Sequence, residues 1–304
     1  MIHPKALPPQ TCSNLLPPNR NYDYFSGASD FPFPCAVTQF DMRNAWWLAE
    51  SSLLAYADET FAWEQWAKVS AELQFRLFQG SSTRCYVVST EQFVIVAFRG
   101  TEVLKKGEGT TLPGVLEDWK TEAKIALVNW DTNGAVHQGF AMALDQVWWD
   151  KHDRPGLNSY LDSLVAKPAQ RSLWFTGHSL GAALATLAAS RYGHAAGLYT
   201  FGSPHVGDRA FAQSLHIPAY RFVNGGDLVP SFLAAFGPYE HVGVLKYVQT
   251  GGSVTDTPGG VGWLGSRIRK LFAGEGHGIA AFADHAPLSY VIQLWNACVH
   301  AQNH

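Results

Sequence analysis

The stretch Ser172-Leu173-Trp174-Phe175-Thr176-Gly177-His178-Ser179-Leu180-Gly181-Ala182-Ala183-Leu184-Ala185-Thr186-Leu187-Ala188-Ala189 decides the fold. Its first five residues read as a short buried strand. Its last eight are small and aliphatic and read as a helix. Only Gly177-His178-Ser179-Leu180-Gly181 lies between, so the chain must pass from strand to helix in a sharp turn. Both glycines have a steric task there. They allow backbone angles and helix–strand contact that a side chain would block. The turn holds the Ser179 hydroxyl away from the backbone. The helix start behind it offers unpaired N–H groups to an anion.

Outward from this segment, strands and helices alternate. Downstream come a strand at 197–201, a helix at 209–215, strands at 219–223 and 242–249, and a last helix at 287–299. Upstream, β-rich runs at 84–89 and 93–98 flank a short turn and predict a hairpin. Weaker strand patterns lie at 125–130 and 135–136, and helices at 140–149 and 157–165. A helix over 38–57 places Phe40, Trp47, Leu48 and Leu54 at helical spacing, and a second helix spans 60–71. Residues 1–37 are rich in Pro, Asn and Ser and predict an irregular arm. The alternation predicts an α/β fold with a mostly parallel sheet flanked by helices, in one domain over 38–304. No internal repeat is visible.

Bulk composition excludes several classes. The 304 residues are 47% hydrophobic and 15% charged, enough for a large core. Net charge is −3, and no long basic stretch points to nucleic acid. The 11 Trp and 18 Phe are expected mainly in the core, with some facing an apolar ligand. The first residues, Met1-Ile2-His3-Pro4-Lys5-Ala6-Leu7-Pro8-Pro9, lack the continuous apolar region of a Sec signal, and no stretch approaches the ~20 apolar residues of a membrane span. The expectation is a soluble protein, either cytoplasmic, mature after processing, or exported by another route. Cys12, Cys35, Cys85 and Cys298 form no C-x-x-C pair, which argues against zinc. Cys85 reads as a buried thiol, and Cys35 and Cys298 lie where a staple could join the two ends of the fold.

The strand–G-x-S-x-G–helix segment resembles the nucleophile elbow of an α/β-hydrolase. A serine hydroxyl needs a base, and the base needs an orienting carboxylate. In that fold the chain order is Ser, then Asp or Glu, then His. The best acid is Asp227, which follows the strand Tyr220-Arg221-Phe222-Val223 and the turn Asn224-Gly225-Gly226. Its competitor is Asp208, at a helix start where an N-cap is the simpler role. Downstream histidines are His241, His277, His285 and His300. His285 opens Asp284-His285-Ala286-Pro287-Leu288-Ser289-Tyr290 just before the last helix, where the base belongs. His241 precedes a strand, and His300 lies in the tail. Oxyanion donors are expected from the Leu180 N–H and from Thr101, whose N–H and hydroxyl follow an early strand.

Several segments in order resemble the fungal-type class 3 lipases. They are Val96-Ala97-Phe98-Arg99-Gly100-Thr101, Val136-His137-Gln138-Gly139-Phe140, Gly177-His178-Ser179-Leu180-Gly181-Ala182-Ala183 and Thr200-Phe201-Gly202-Ser203-Pro204. Asn224 to Pro230 with Asp227, Glu240-His241-Val242-Gly243 and Asp284-His285 follow. The resemblance implies a serine hydrolase of acylglycerols or related lipids, without cofactor or metal. It maps Ser179, Asp227 and His285 onto the triad, and Thr101 and Leu180 onto the oxyanion donors. His241 falls in the strand motif before the histidine loop, and His137 at an architectural position. A disulfide of secreted members would pair Cys298 with Cys12 or Cys35. The loop between Asp227 and His285 carries an insertion.

Two segments read as lipid-contacting elements. Residues 102–119 have hinge glycines, Lys105-Lys106 and apolar residues, at the place of the family's lid. In 259–278, Trp263, Leu264, Ile268, Leu271 and Phe272 lie at helical spacing beside Arg267, Arg269 and Lys270. That pattern fits a second lid, an interfacial anchor, or a helix packed over the core. The leading expectation is a triacylglycerol lipase in transient contact with a lipid–water interface. Phospholipase A1 and feruloyl-type esterase share the motifs, and a non-catalytic lipid-binding protein would need a broken triad.

Overall fold

The computed structural model describes residues 2–101, 126–166, 171–231, 233, 237–249, 251–257 and 283–302. The segments 102–119 and 259–278, and His277 with them, lie outside the described residues. The strands are β1 (Gln74–Gln79), β2 (Arg84–Ser89), β3 (Phe93–Phe98), β4 (Leu127–Asn129), β5 (Ala135–His137), β6 (Ser172–His178), β7 (Gly197–Phe201), β8 (Gly207–Asp208), β9 (Ala219–Asn224), β10 (Tyr239–Glu240), β11 (Val244–Val248) and β12 (Val254–Thr255). The helices are α1 (Cys12–Leu15), α2 (Met42–Leu54), α3 (Glu59–Ala67), α4 (Gln138–Trp148), α5 (Leu157–Val165), α6 (Leu180–Tyr192), α7 (Arg209–Ser214) and α8 (Pro287–Gln302).

The main sheet runs β1-β2-β3-β6-β7-β9-β11-β12, with β3 through β11 parallel and the two edges antiparallel. Both faces are covered, so its central strands are apolar throughout rather than alternating. On β3, Val94, Val96 and Phe98 point to a core shared with α4, α5 and α6. Phe93, Ile95 and Ala97 point to the opposite core, shared with α2, α3 and α8. Helix α6 is buried nearly all round, from Gly181 to Ser190, which explains its alanines: larger residues would not fit between sheet and neighbouring helix. Phe175, fully buried beneath it, contributes about 2–3 kcal/mol by leaving water. The arm before α2 is tied to α8. Trp295 Nε1–H donates to the His3 carbonyl (3.0 Å), and Lys5 exchanges two hydrogen bonds with Asn296 (2.7 and 3.0 Å).

Four features depart from the sequence reading. Strand β1 was not anticipated; Gln-Phe-Arg-Leu-Phe-Gln earns its place at the edge because Phe78 enters the core and Phe75 packs on Tyr86 at 4.8 Å. The weak strands near 127 and 135 belong to a second, antiparallel sheet, β10-β8-β5-β4. Two of its strands have two residues each, too short for any periodicity to register. Helix α2 starts at Met42 because Asp41 caps it, accepting from Arg43 N–H at 2.8 Å. Cys35, Cys85 and Cys298 are free thiols. No Cys35–Cys298 staple forms: Cys298 is buried in the core on α8, whereas the Cys35 thiol lies 4.0 Å from Gln92 Oε1. Among the described residues, no helix is long and apolar enough to cross a membrane.

Candidate active site

Strand β6 ends at His178 and α6 begins at Leu180, leaving Ser179 alone at the corner. Its φ is 58° and ψ −127°. A non-glycine residue held there costs on the order of 1–3 kcal/mol. The strain is borne by hydrogen bonds on either side, from Ser179 N–H to Phe201 O (2.9 Å) and from Ala182 N–H to Ser179 O (3.0 Å). The flanking glycines are obligatory. A Cβ on Gly181 would fall on the Phe98 carbonyl oxygen, and one on Gly177 on the Gly181 carbonyl oxygen.

Asp227 sits in the turn after β9 and is fully buried. Its Oδ1 accepts from Val229 N–H (3.0 Å), and its Oδ2 accepts from the Tyr290 hydroxyl (2.6 Å). His285 adds a third donor, Nδ1–H, at 2.9 Å from Oδ2. A buried carboxylate is expensive unless donors surround it, and here three converge. The same assignment fixes the imidazole tautomer. With Nδ1 protonated towards the carboxylate, Nε2 carries the lone pair, and it lies 3.0 Å from Ser179 Oγ. Gly202 closes the site from below at φ +58°. A Cβ there would stand 2.7 Å from Asp227 Oδ2 and 3.0 Å from His285 Nδ1.

Ser179, Asp227 and His285 are therefore brought into one hydrogen-bonded chain. The described competitors, Asp208, His241 and His300, are elsewhere. Asp208 caps α7, accepting from Phe211 N–H at 2.8 Å. His241 stacks on His205 with ring centroids 3.6 Å apart, and burial pushes its pKa down. His300 is exposed in the last turn of α8. His137 caps α4 and stacks on Phe140, with its pKa lowered to about 4 by burial. Leu180 opens α6, so its N–H is among the unpaired donors of the first turn. Thr101 follows β3 by three residues, and the β3 end packs directly on the elbow at Gly181. The Thr101 hydroxyl is buried with no hydrogen-bond partner among the described residues.

Residues beyond these also shape the site. Tyr290 holds Asp227 and is itself held by Asn224 N–H (3.0 Å). His178 lies under His285, ring centroids 4.6 Å apart, and its Nε2 is 2.6 Å from the His285 carbonyl oxygen. Its Nδ1 is 2.8 Å from the Tyr56 hydroxyl. Nothing in the spacing of Tyr56, some 120 positions before the elbow, signals that contact. Among the described residues, no group of three or more His, Cys, Asp or Glu side chains could hold a metal ion.

A parallel sheet, a serine on the strand–helix corner, and an acid and a histidine on later loops define an α/β-hydrolase fold. The triacylglyceride lipase of Rhizomucor miehei shares it, with a TM-score of 0.58 at 21% identity over 80% of this chain and 94% of that one. Residues 95–236 match the family described as lipase (class 3). A secreted mono- and diacylglycerol lipase of Fusarium solani is 36% identical over 124 residues, 38% of this chain and 35% of the relative. Phospholipase A1-II 6 of Oryza sativa subsp. japonica is 30% identical over 195 residues, 53% of this chain and 44% of the relative. The matched stretches thus span less than half the length of either relative.

Proposed function

We propose that this chain is a serine carboxylic ester hydrolase that releases fatty acids from triacylglycerols through an acyl-enzyme on Ser179. The observation that carries the reading is the single imidazole of His285, 3.0 Å from Ser179 Oγ and 2.9 Å from Asp227 Oδ2. In this reading the Ser179 oxygen attacks the ester carbonyl carbon while its proton passes to His285 Nε2. Asp227 holds the ring and stabilises the imidazolium. The N–H groups of Leu180 and Thr101, with the Thr101 hydroxyl, meet the oxyanion of the tetrahedral intermediate. The intermediate collapses, the C–O bond to the alcohol breaks, and His285 returns the proton to the departing oxygen. Water, deprotonated by the same imidazole, then releases the fatty acid and restores Ser179. No step in this scheme requires a cofactor.

A second reading is phospholipase A1 cleavage, favoured by the similarity to the rice protein of that name. The two readings share every residue above and differ in the alcohol that leaves. The test is hydrolysis of tributyrin, carried through its solubility limit, beside a diacyl phosphatidylcholine of the same chain length, each with Ser179→Ala. Faster Ser179-dependent release from tributyrin supports the first reading. Faster release from the phospholipid transfers the assignment to the second. Turnover that survives in Ser179→Ala removes both.

A further inference from the structure

We propose that His178 and Asn224 are positioning residues that grip the backbone of the His285 turn, so that the nucleophile elbow and the acid loop together fix the base. The inference rests on the reading of Ser179, Asp227 and His285 as the reacting set. Residues 283–285 are helical, and Ala286 separates them from Pro287, which opens α8. Pro287 has no N–H to offer this turn. The Ser289 N–H is committed to the Ala286 carbonyl at 2.9 Å. Of the three carbonyls of residues 283–285, those of Ala283 and His285 therefore lack the donor four positions on that a continuous helix would supply.

Each of the three finds one in a side chain. Ser289 Oγ donates to the Ala283 carbonyl at 2.6 Å. Asn224 Nδ2 donates to the Asp284 carbonyl at 3.0 Å. His178 Nε2 donates to the His285 carbonyl at 2.6 Å. The Asp284 carboxylate adds a fourth tie, accepting from Gly226 N–H at 2.6 Å. A carbonyl only accepts, so His178 must carry its proton on Nε2. Nδ1 is then an acceptor, and the Tyr56 hydroxyl at 2.8 Å is its donor. Burial, with His285 alongside, lowers the His178 pKa to about 3. The donor is consequently in place throughout the neutral range.

The arrangement has a consequence for catalysis. His178 holds the backbone of residue 285 while its neighbour Ser179 meets the ring of the same residue. Asn224 holds residue 284, and Asp227, three positions on, meets the ring from the other side. The turn that carries the base is held twice from each side, once at its backbone and once at the His285 ring. A shift of either loop carries the imidazole with it, which keeps Oγ, Nε2, Nδ1 and Oδ2 in register.

The test compares His178→Leu, His178→Gln and Tyr56→Phe on a soluble short-chain p-nitrophenyl ester, with the low-field proton NMR signal of His285 Nδ1–H as a second readout. Glutamine restores an N–H at the reach of Nε2; leucine does not. The expected loss for His178→Leu is on the order of 100-fold in kcat with little change in KM, and His178→Gln recovers most of it. The low-field signal broadens in the leucine variant and returns in the glutamine variant. Tyr56→Phe removes the donor to Nδ1, so the His178 ring is held at Nε2 alone, and kcat falls about 5-fold at unchanged KM; this variant decides the matter if His178→Leu does not fold. Full kcat and a sharp signal in the leucine variant, or in Tyr56→Phe where leucine is lost, would overturn the proposal. A wild-type protein without Ser179-dependent turnover would instead refute the functional reading, and the NMR comparison alone would then judge the positioning claim.

Discussion

Replacing Gly202 with alanine perturbs the site by one carbon atom. That carbon would stand 2.7 Å from Asp227 Oδ2 and 3.0 Å from His285 Nδ1, where ordinary contact begins at 3.4 Å. The carboxylate is about 0.7 Å too close to be accommodated in place. It has no free direction of retreat, since Tyr290, His285 and Val229 N–H all hold it. The Asp227–His285 pair must open or turn instead. Misplacement on that scale costs on the order of 100-fold in rate, or about 2.7 kcal/mol of barrier. The φ of +58° adds a backbone penalty of about 1–2 kcal/mol for an alanine, enough to lower Tm by several degrees without unfolding the chain. Gly193→Ala supplies the control. It has a φ of +77° and no atom within 4 Å of the added carbon, so it carries the backbone penalty alone. The assay is kcat on a soluble p-nitrophenyl ester together with the melting temperature of both variants. A Tm loss in both variants, larger in Gly202→Ala, with turnover lost only in Gly202→Ala, is expected. Wild-type kcat in a folded Gly202→Ala would refute the reasoning.

Three further outcomes are expected. Thr101→Ala loses on the order of 100-fold in kcat and Thr101→Ser regains most of it, because an oxyanion donor is removed and then restored; equal rates in all three proteins would exclude the hydroxyl. Glu50 is buried, accepts from the Tyr22 hydroxyl at 2.7 Å, and has its pKa raised by burial to about 7 from the ordinary 4.5. The folded state then binds the extra proton, so stability falls as pH rises from about 4.5 to about 7, by roughly 3 kcal/mol for this group. Chemical denaturation at pH 5 and pH 8 should show that loss in the wild type and a smaller one in Glu50→Gln; identical slopes would contradict it. Asp208→Ala removes the α7 cap and costs about 1 kcal/mol while leaving kcat unchanged; lost turnover in a folded Asp208→Ala protein would return it to the reacting set.

The central strands and the elbow were legible because both rest on local chemistry. The continuous apolar runs of β3 and β6 report burial on two faces, and the two glycines around Ser179 report a backbone approach that nothing larger permits. Asp227 and His285 are expected from chain order alone, Asp227 in a turn after a strand and His285 just before the last helix. What the chain could not announce were contacts between distant positions. Tyr56 meets His178 across 122 residues, and Tyr290 meets Asp227 across 63, with no spacing rule to join them. The small sheet was hidden for a different reason: Gly207 and Asp208 form a strand because β5 offers an edge to pair with, and Tyr239 and Glu240 because β8 does. Cys298 has the position of a disulfide partner in sequence, yet its depth in the α8 core keeps it a thiol.

The most direct test of the account is covalent trapping of the nucleophile. The protein is incubated with a fluorophosphonate, digested and mapped by mass spectrometry, with residual tributyrin hydrolysis followed in parallel. The account predicts one adduct per chain on the peptide containing Ser179, loss of hydrolysis in proportion to labelling, and neither label nor hydrolysis in Ser179→Ala. An adduct on another serine that tracks the loss of activity, or hydrolysis that persists in a fully labelled protein, would contradict it.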